Sequence, residues 1–283
     1  MLRFAPSPNG FLHLGHALSL LANEQLAQVL DRPLTIRIED IDTGRARPEF
    51  EAAIFEDTAW LGVALTPPFR RQSAHFAQYL GMVGQLREAG LVYPSFATRR
   101  EIAGAVPCGG PRDPDGAPLF PGDAAVLGEK EADRRRASGE PAAWRLDMAE
   151  ALKRIDSPVT MAMVDGEGGA LGHKACDPAA WGDVVLARKD TPTSYHLAVV
   201  VDDAAQGISH VVRGEDLLAA TAVHRVLQIL LDLPAPAYFH HRLVPGDDGR
   251  KLSKSNGALS LRALREEGWS ADRVRESLGY SLS

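Results

Sequence analysis

The first forty residues constrain the fold more than any other stretch of the chain. Leu2 to Ala5 reads as a short strand, Pro6-Ser7-Pro8-Asn9-Gly10 as a turn-rich loop, and Leu14 to Leu30, by its apolar spacing, as a helix. Leu34-Thr35-Ile36-Arg37-Ile38 follows as a second strand and ends at Glu39-Asp40-Ile41-Asp42, which places carboxylates where a parallel sheet displays its ligand-binding edge. Helical patterns continue from Pro48 to Leu61 and from Ala74 to Ala89. Strand-helix alternation of this kind predicts an α/β protein built on a doubly wound parallel sheet, with its crevice beyond the carboxyl ends of the strands.

From about Val92 to Asp177 the chain turns rich in Pro, Gly and charge, as in Pro107-Cys108-Gly109-Gly110-Pro111, and cannot continue a regular sheet. We read an α+β insertion over 92–176. Strands are expected to resume at Val184 to Arg188, Leu197 to Val201 and Ile208 to Arg213, followed by a helix over Ala219 to Leu231. The organisation expected is therefore a catalytic body of 1–91 and 177–257, the insertion, and a short helical remnant over 258–283.

Composition excludes several classes. A hydrophobic fraction of 45% and a charged fraction of 24% suit a globular protein, and a net charge of −6 does not suit a general nucleic-acid coat. Contact with a nucleic acid would rest on local patches such as Arg99-Arg100 or Arg134-Arg135-Arg136, each of which alone reads more readily as a solvated face. Cys108 and Cys176 are too few for a disulfide framework and too far apart for a local metal knuckle. With no long apolar run and no signal-like start, a cytoplasmic protein without membrane association is expected.

Two separated motifs suit phosphate chemistry. His13-Leu14-Gly15-His16 stands at the start of the first helix, where unpaired backbone N–H groups favour an anion and Gly15 permits close approach. Lys251-Leu252-Ser253-Lys254-Ser255 lies in a Gly-rich, cationic loop, suited to following negative charge as pyrophosphate leaves an α-phosphorus. Each alone could be a surface turn; together they are far more specific.

The pair resembles the two signatures of the class I aminoacyl-tRNA synthetases, whose catalytic body is a Rossmann-type sheet. Arg3 to Gly10, Arg37 to Asp42, Tyr195 to Asp203 and Val212-Arg213-Gly214-Glu215-Asp216 look specifically like the glutamyl subgroup. The resemblance implies adenylate formation from L-glutamate and ATP, with Mg²⁺ carried by the phosphates and no protein metal ligands. It implies a nucleotide site at Pro8, Gly10, His13, Gly15, His16, Lys251, Ser253, Lys254 and Ser255, with His13, His16, Lys251 and Lys254 stabilising the transition state. It implies a glutamate pocket of Arg3, Phe4, Ala5, Pro6, Ser7, Glu39, Tyr195 and Arg213, with Glu39 on the ammonium and the arginines and Tyr195 on carboxylate oxygens.

Two departures from ordinary glutamyl-tRNA synthetases resemble one paralogue family. The chain stops soon after Lys254, with no anticodon-binding domain expected, and Val199 stands where the ordinary enzymes typically carry Asn. That family activates glutamate without tRNA and attaches it to queuosine in the anticodon loop of tRNA(Asp). A short enzyme charging a tRNA 3′ end and a non-catalytic tRNA-binding relative remain the alternatives, and a monomer is expected. Where many relatives carry zinc ligands in the insertion, this chain has Ser95, Ala97, Phe120 and Ala124, so no structural zinc is expected.

Overall fold

Hydrophobic periodicity and turn chemistry place the first elements close to expectation. In the computed structural model, which describes residues 1–245 and 259–280, strand β1 (Leu2–Phe4) leads through helix α1 (Leu14–Val29) to β2 (Leu34–Ile38). The two strands pair in parallel with Leu2 opposite Leu34 and Phe4 opposite Ile36. Helix α2 (Pro48–Trp60) opens with proline in its first turn, where a missing N–H costs nothing, and leads to the short β3 (Arg70–Arg71), parallel to β2. Helix α3 (Phe76–Glu88) then carries the chain to β4 (Val92–Ser95).

Beyond β4 come α4 (Arg99–Ala105), α5 (Asp123–Leu127), α6 (Glu129–Ala137), β5 (Ala143–Leu146) and α7 (Met148–Lys153), then the hairpin of β6 (Thr160–Val164) and β7 (Ala170–Ala175). After β8 (Val185–Ala187) the chain forms α8 (Tyr195–Ala205), β9 (His210–Gly214), α9 (Thr221–Leu230) and β10 (Ala237–His241), and after the undescribed segment α10 (Leu261–Glu266) and α11 (Ala271–Leu278). The strands β4, β5 and β8 make a small antiparallel sheet. The β6–β7 hairpin instead joins β10, and β10 pairs in parallel with β9.

Strands β1 and β9 lie side by side. The Ser209 N–H donates to Met1 O (2.9 Å), while Arg3 Nη1 and Asn23 Nδ2 both donate to Val212 O (3.3 and 3.2 Å). Reading across, the order is β3-β2-β1 and then β9-β10-β6-β7. From β1 the chain works outward through β2 and β3, then returns to the other side for β9 and β10. That reversal opens a crevice at the carboxyl ends of β1 and β9, the usual ligand position of a doubly wound sheet.

One expected strand is a helix. Leu197 to Val201 lies inside α8, every residue of it buried. A continuous apolar run of five residues has no period with which to distinguish a buried strand from a buried helix, and here packing on both sides decides. The consequence reaches the crevice, because helical spacing puts Tyr195, Val199 and Asp203 at i, i+4 and i+8 on one face.

Beyond β4, the Asp123 carboxylate at the start of α5 gathers the turn that follows the strand. It accepts from Ser95 Oγ (3.2 Å), Phe96 N (2.7 Å) and Ala97 N (2.9 Å), while Lys189 Nζ and Arg135 Nη1 donate to Phe96 O (2.6 and 3.3 Å). Phe120 lies under the Arg145 guanidinium at 4.0 Å. Ser95, Ala97 and Phe120, three of the positions that resemble zinc-ligand sites, thus belong to a knot of hydrogen bonds and stacking.

Candidate active site

The crevice holds a cavity of about 740 Å³. Its walls bring together Arg3, Phe4, Ala5, Pro6, Ser7, Glu39, Tyr195 and Arg213, all the residues expected around glutamate, with His13, Gly15 and His16 from the expected nucleotide site. Pro8 lines a neighbouring cavity of about 640 Å³ that shares Ser7, Asn9, Glu39, Arg45 and Tyr195 with the first. Gly10 lies in the turn before α1 and borders neither. Lys251, Ser253, Lys254 and Ser255 lie outside the described residues. The chain re-enters the described structure at the rim, where Ser260 bridges to His13 and Leu261 N donates to Leu12 O (2.7 Å).

The His13 turn is a capping box made of imidazoles. Gly15 N donates to His13 Nδ1 (3.1 Å) and His13 N donates to His16 Nδ1 (3.2 Å), with the rings 3.9 Å apart. Two orphan N–H groups of α1 are satisfied reciprocally. Because both Nδ1 atoms accept, neutral rings carry their hydrogens on Nε2. A Cβ on Gly15 would stand 3.0 Å from His13 Cε1 and 3.1 Å from Nδ1, so only glycine leaves this cap undisturbed.

The floor of the cavity is an array of buried opposite charges. Arg37, fully buried in β2, donates to Asp203 Oδ1 (2.6 Å), to Gln206 Oε1 (3.2 Å) and twice to Glu39 Oε1 (3.1 and 3.3 Å). Arg3 Nε shares the same Asp203 oxygen at 3.0 Å. Asp202, next along α8, receives Arg70, Gln72 and Tyr79. Burial would raise the Asp203 carboxyl, but Arg3 and Arg37 outweigh it and hold it below the usual carboxylate range, whereas burial pushes Glu39 upward despite its arginines.

The wall is built differently. Arg213, 5% exposed near the end of β9, donates to Thr221 Oγ1 (2.7 Å), Leu217 O (3.2 Å) and His240 Nε2 (3.4 Å), and lies 3.1 Å from His224 Nδ1. All four partners are neutral acceptors, and among the described residues no carboxylate pairs with this guanidinium. Arg3, Arg37 and Arg70 are thus paired with Glu39, Asp202 and Asp203, whereas Arg213 is not.

Arg37, Asp203 and the imidazoles of His224 and His240 received no role from the sequence. Arg37 and Glu39 stand two apart on one strand face, and Asp202-Asp203 is an acidic pair in an apolar run, which were the available signals. The expected basic patches are largely compensated at short range. Arg134 and Arg135 pair with Glu131, Arg135 also with Glu101, and Arg136 with Asp133. Arg99 lines the second cavity. Among the described residues no cluster of three or more His, Cys, Asp or Glu could hold a metal ion, and no helix is long and apolar enough to cross a membrane.

A doubly wound parallel sheet with a His-x-Gly-His cap on its first helix and a charged cavity at its switch point defines the catalytic body of a class I synthetase. The chain belongs to the family described as tRNA synthetases class I (E and Q), catalytic domain, whose model matches residues 1–278, and it is accordingly a ligase. It is 41% identical to the Glutamyl-Q tRNA(Asp) synthetase of Rhodobacter capsulatus over 98% of this chain and 99% of that one. A protein of the same description from Nocardia farcinica is 39% identical over 99% of this chain and 84% of its own length. The fold matches the glutamate-tRNA synthetase of Elizabethkingia anophelis with a TM-score of 0.72 at 24% identity, covering 96% of this chain and 59% of that one.

Proposed function

We propose that the chain activates L-glutamate with ATP and passes the glutamyl group to queuosine at the wobble position of tRNA(Asp). The observation that carries the first half is Arg213, a buried cation held only by neutral groups on the cavity wall. Glutamate, with one ammonium and two carboxylates, brings the single negative charge that balances it. Both Arg37 bonds fall on Oε1 of Glu39, so Oε2 serves the ammonium. Arg213, Arg3 and Tyr195 then address carboxylate oxygens. The chain's likeness to the two relatives named for glutamyl-Q formation supports the acceptor.

ATP enters at the His13 turn, with Lys251 and Lys254 serving its phosphates and Mg²⁺ carried by them. The glutamate carboxylate attacks the α-phosphorus, pyrophosphate leaves, and a hydroxyl of the queuosine cyclopentenediol displaces AMP. No side-chain nucleophile is needed; alignment and electrostatic stabilisation lower the barrier. We expect a monomer to suffice.

Transfer of labelled glutamate is the test, using matched tRNA(Asp) pools with and without queuosine and a tRNA(Glu) pool. Label confined to the queuosine pool is the expected outcome. Label on tRNA(Glu) regardless of queuosine would replace the acceptor with a tRNA 3′ end, and ATP–pyrophosphate exchange that ignores glutamate would overturn the whole reading.

A further inference from the structure

A buried arginine is ordinarily held by a carboxylate, because leaving it unpaired is costly. Arg213 is held by other means, and the geometry fixes how. A guanidinium has donors and no acceptor, so His224 Nδ1, 3.1 Å from Arg213 Nη1, must be unprotonated and accept. The His224 hydrogen therefore sits on Nε2, which lies 3.2 Å from His196 Nδ1 and donates to it. Trp181 presents an edge-on ring to His196 with centroids 5.4 Å apart, and Trp181 Nε1 is itself anchored on Ala219 O (3.2 Å). The Tyr195 ring packs against both imidazoles at 5.7 Å. One imidazole pair thus orients both Arg213 and Tyr195.

We propose that His224, backed by His196, is a positioning residue that fixes Arg213 with a neutral acceptor, so that the cavity keeps its full positive charge for a ligand carboxylate. The proposal rests on the reading of this cavity as a glutamate site. A carboxylate at position 224 would hold the guanidinium as firmly but cancel its charge. An apolar residue would leave one donor unmet and the guanidinium free to turn. Burial, aided by the Arg213 charge, keeps both rings neutral and pushes His196 down to about 4.

The test compares His224→Glu, His224→Gln and His224→Leu with the parent, measuring glutamate and ATP binding by calorimetry and glutamate-dependent pyrophosphate exchange. His224→Glu is expected to weaken glutamate binding at least about a hundredfold by installing a counter-ion, chiefly as a rise in KM. His224→Leu should weaken it about tenfold, the scale of one charge-assisted hydrogen bond. His224→Gln, which offers a neutral acceptor, should return within about fivefold of the parent, and ATP affinity within about threefold in all three certifies the fold. If His224→Glu bound glutamate like the parent, or if Gln and Glu lost equal affinity, the proposal would fall while the glutamate reading stood. A parent that binds ATP but no glutamate would overturn both.

Discussion

The floor and the wall of the cavity handle buried arginines in opposite ways. On the floor, Arg37 and Arg3 converge on Asp203, and Glu39 takes two further bonds from Arg37, so charge is compensated within the protein. On the wall, Arg213 meets a hydroxyl, a carbonyl and two imidazoles. On the proposed reading, Arg37 and Asp203 set the floor beneath Arg3 and Glu39, and Arg213 on the wall is the guanidinium left for an outside anion. Proximity to the site does not separate the two; the charge of the partners does.

Removing each arginine should break the comparison most sharply. Arg37→Ala leaves Asp203 and Glu39 short of a buried partner, which costs about 3–5 kcal/mol and should lower the melting temperature by about 10 °C. Arg213→Ala should reverse that pattern. Glutamate-dependent pyrophosphate exchange is expected to lose about a thousandfold in kcat/KM, while stability stays within about 1 kcal/mol because the lost bonds went to neutral groups. Equal melting temperatures for the two variants would mean that the floor and the wall do not differ.

Acid should separate the regions next. Burial, then the Arg213 charge, pushes His196 down to about 4 and His240 to about 3, while an unfolded imidazole titrates near 6.5. Between those values the unfolded chain binds more protons, so stability is full above pH 6.5 and falls as pH drops toward 4, by about 2–3 kcal/mol for His196 alone. Asp57, 3.5 Å from Arg265, runs the other way. Burial raises it to about 6, so it weakens the fold as pH rises from about 4 to 6 and offsets part of the loss. Thermal melts from pH 7 to 4.5 that showed no decline would contradict neutral imidazoles in the wall.

The smallest effect belongs to the rim. Gly15→Ala forces the His13 ring to yield by a few tenths of an ångström, and we expect about a fivefold rise in KM for ATP, near 1 kcal/mol, with glutamate affinity unchanged. A parallel loss of glutamate affinity would tie the rim to the wall.

Local pattern made the first half of the sheet legible. Strand β2 was expected over Leu34 to Ile38 and is found there, and α1 ends one residue short of expectation, because alternation and helical spacing are properties of neighbouring residues. The resemblance named eight residues around glutamate, and all eight line one cavity. What it missed depends on distance along the chain. Arg37 and Asp203 are 166 residues apart, and nothing near either announces the other. The misread α8 compounded this, since the strand expected there ended at Val201 and gave Asp202 and Asp203 no place on it. The imidazoles were invisible for a similar reason: a histidine in an apolar helix such as α9 gives no hint that an arginine on β9 will face it.

The knot around Asp123 has one more consequence. Its members are a carboxylate, a hydroxyl, backbone amides and cationic side chains, joined without a thiol. A peroxide therefore finds no sulfur there to oxidise, and this corner of the chain should keep its shape through oxidative stress that would unpick a clasp made of cysteines.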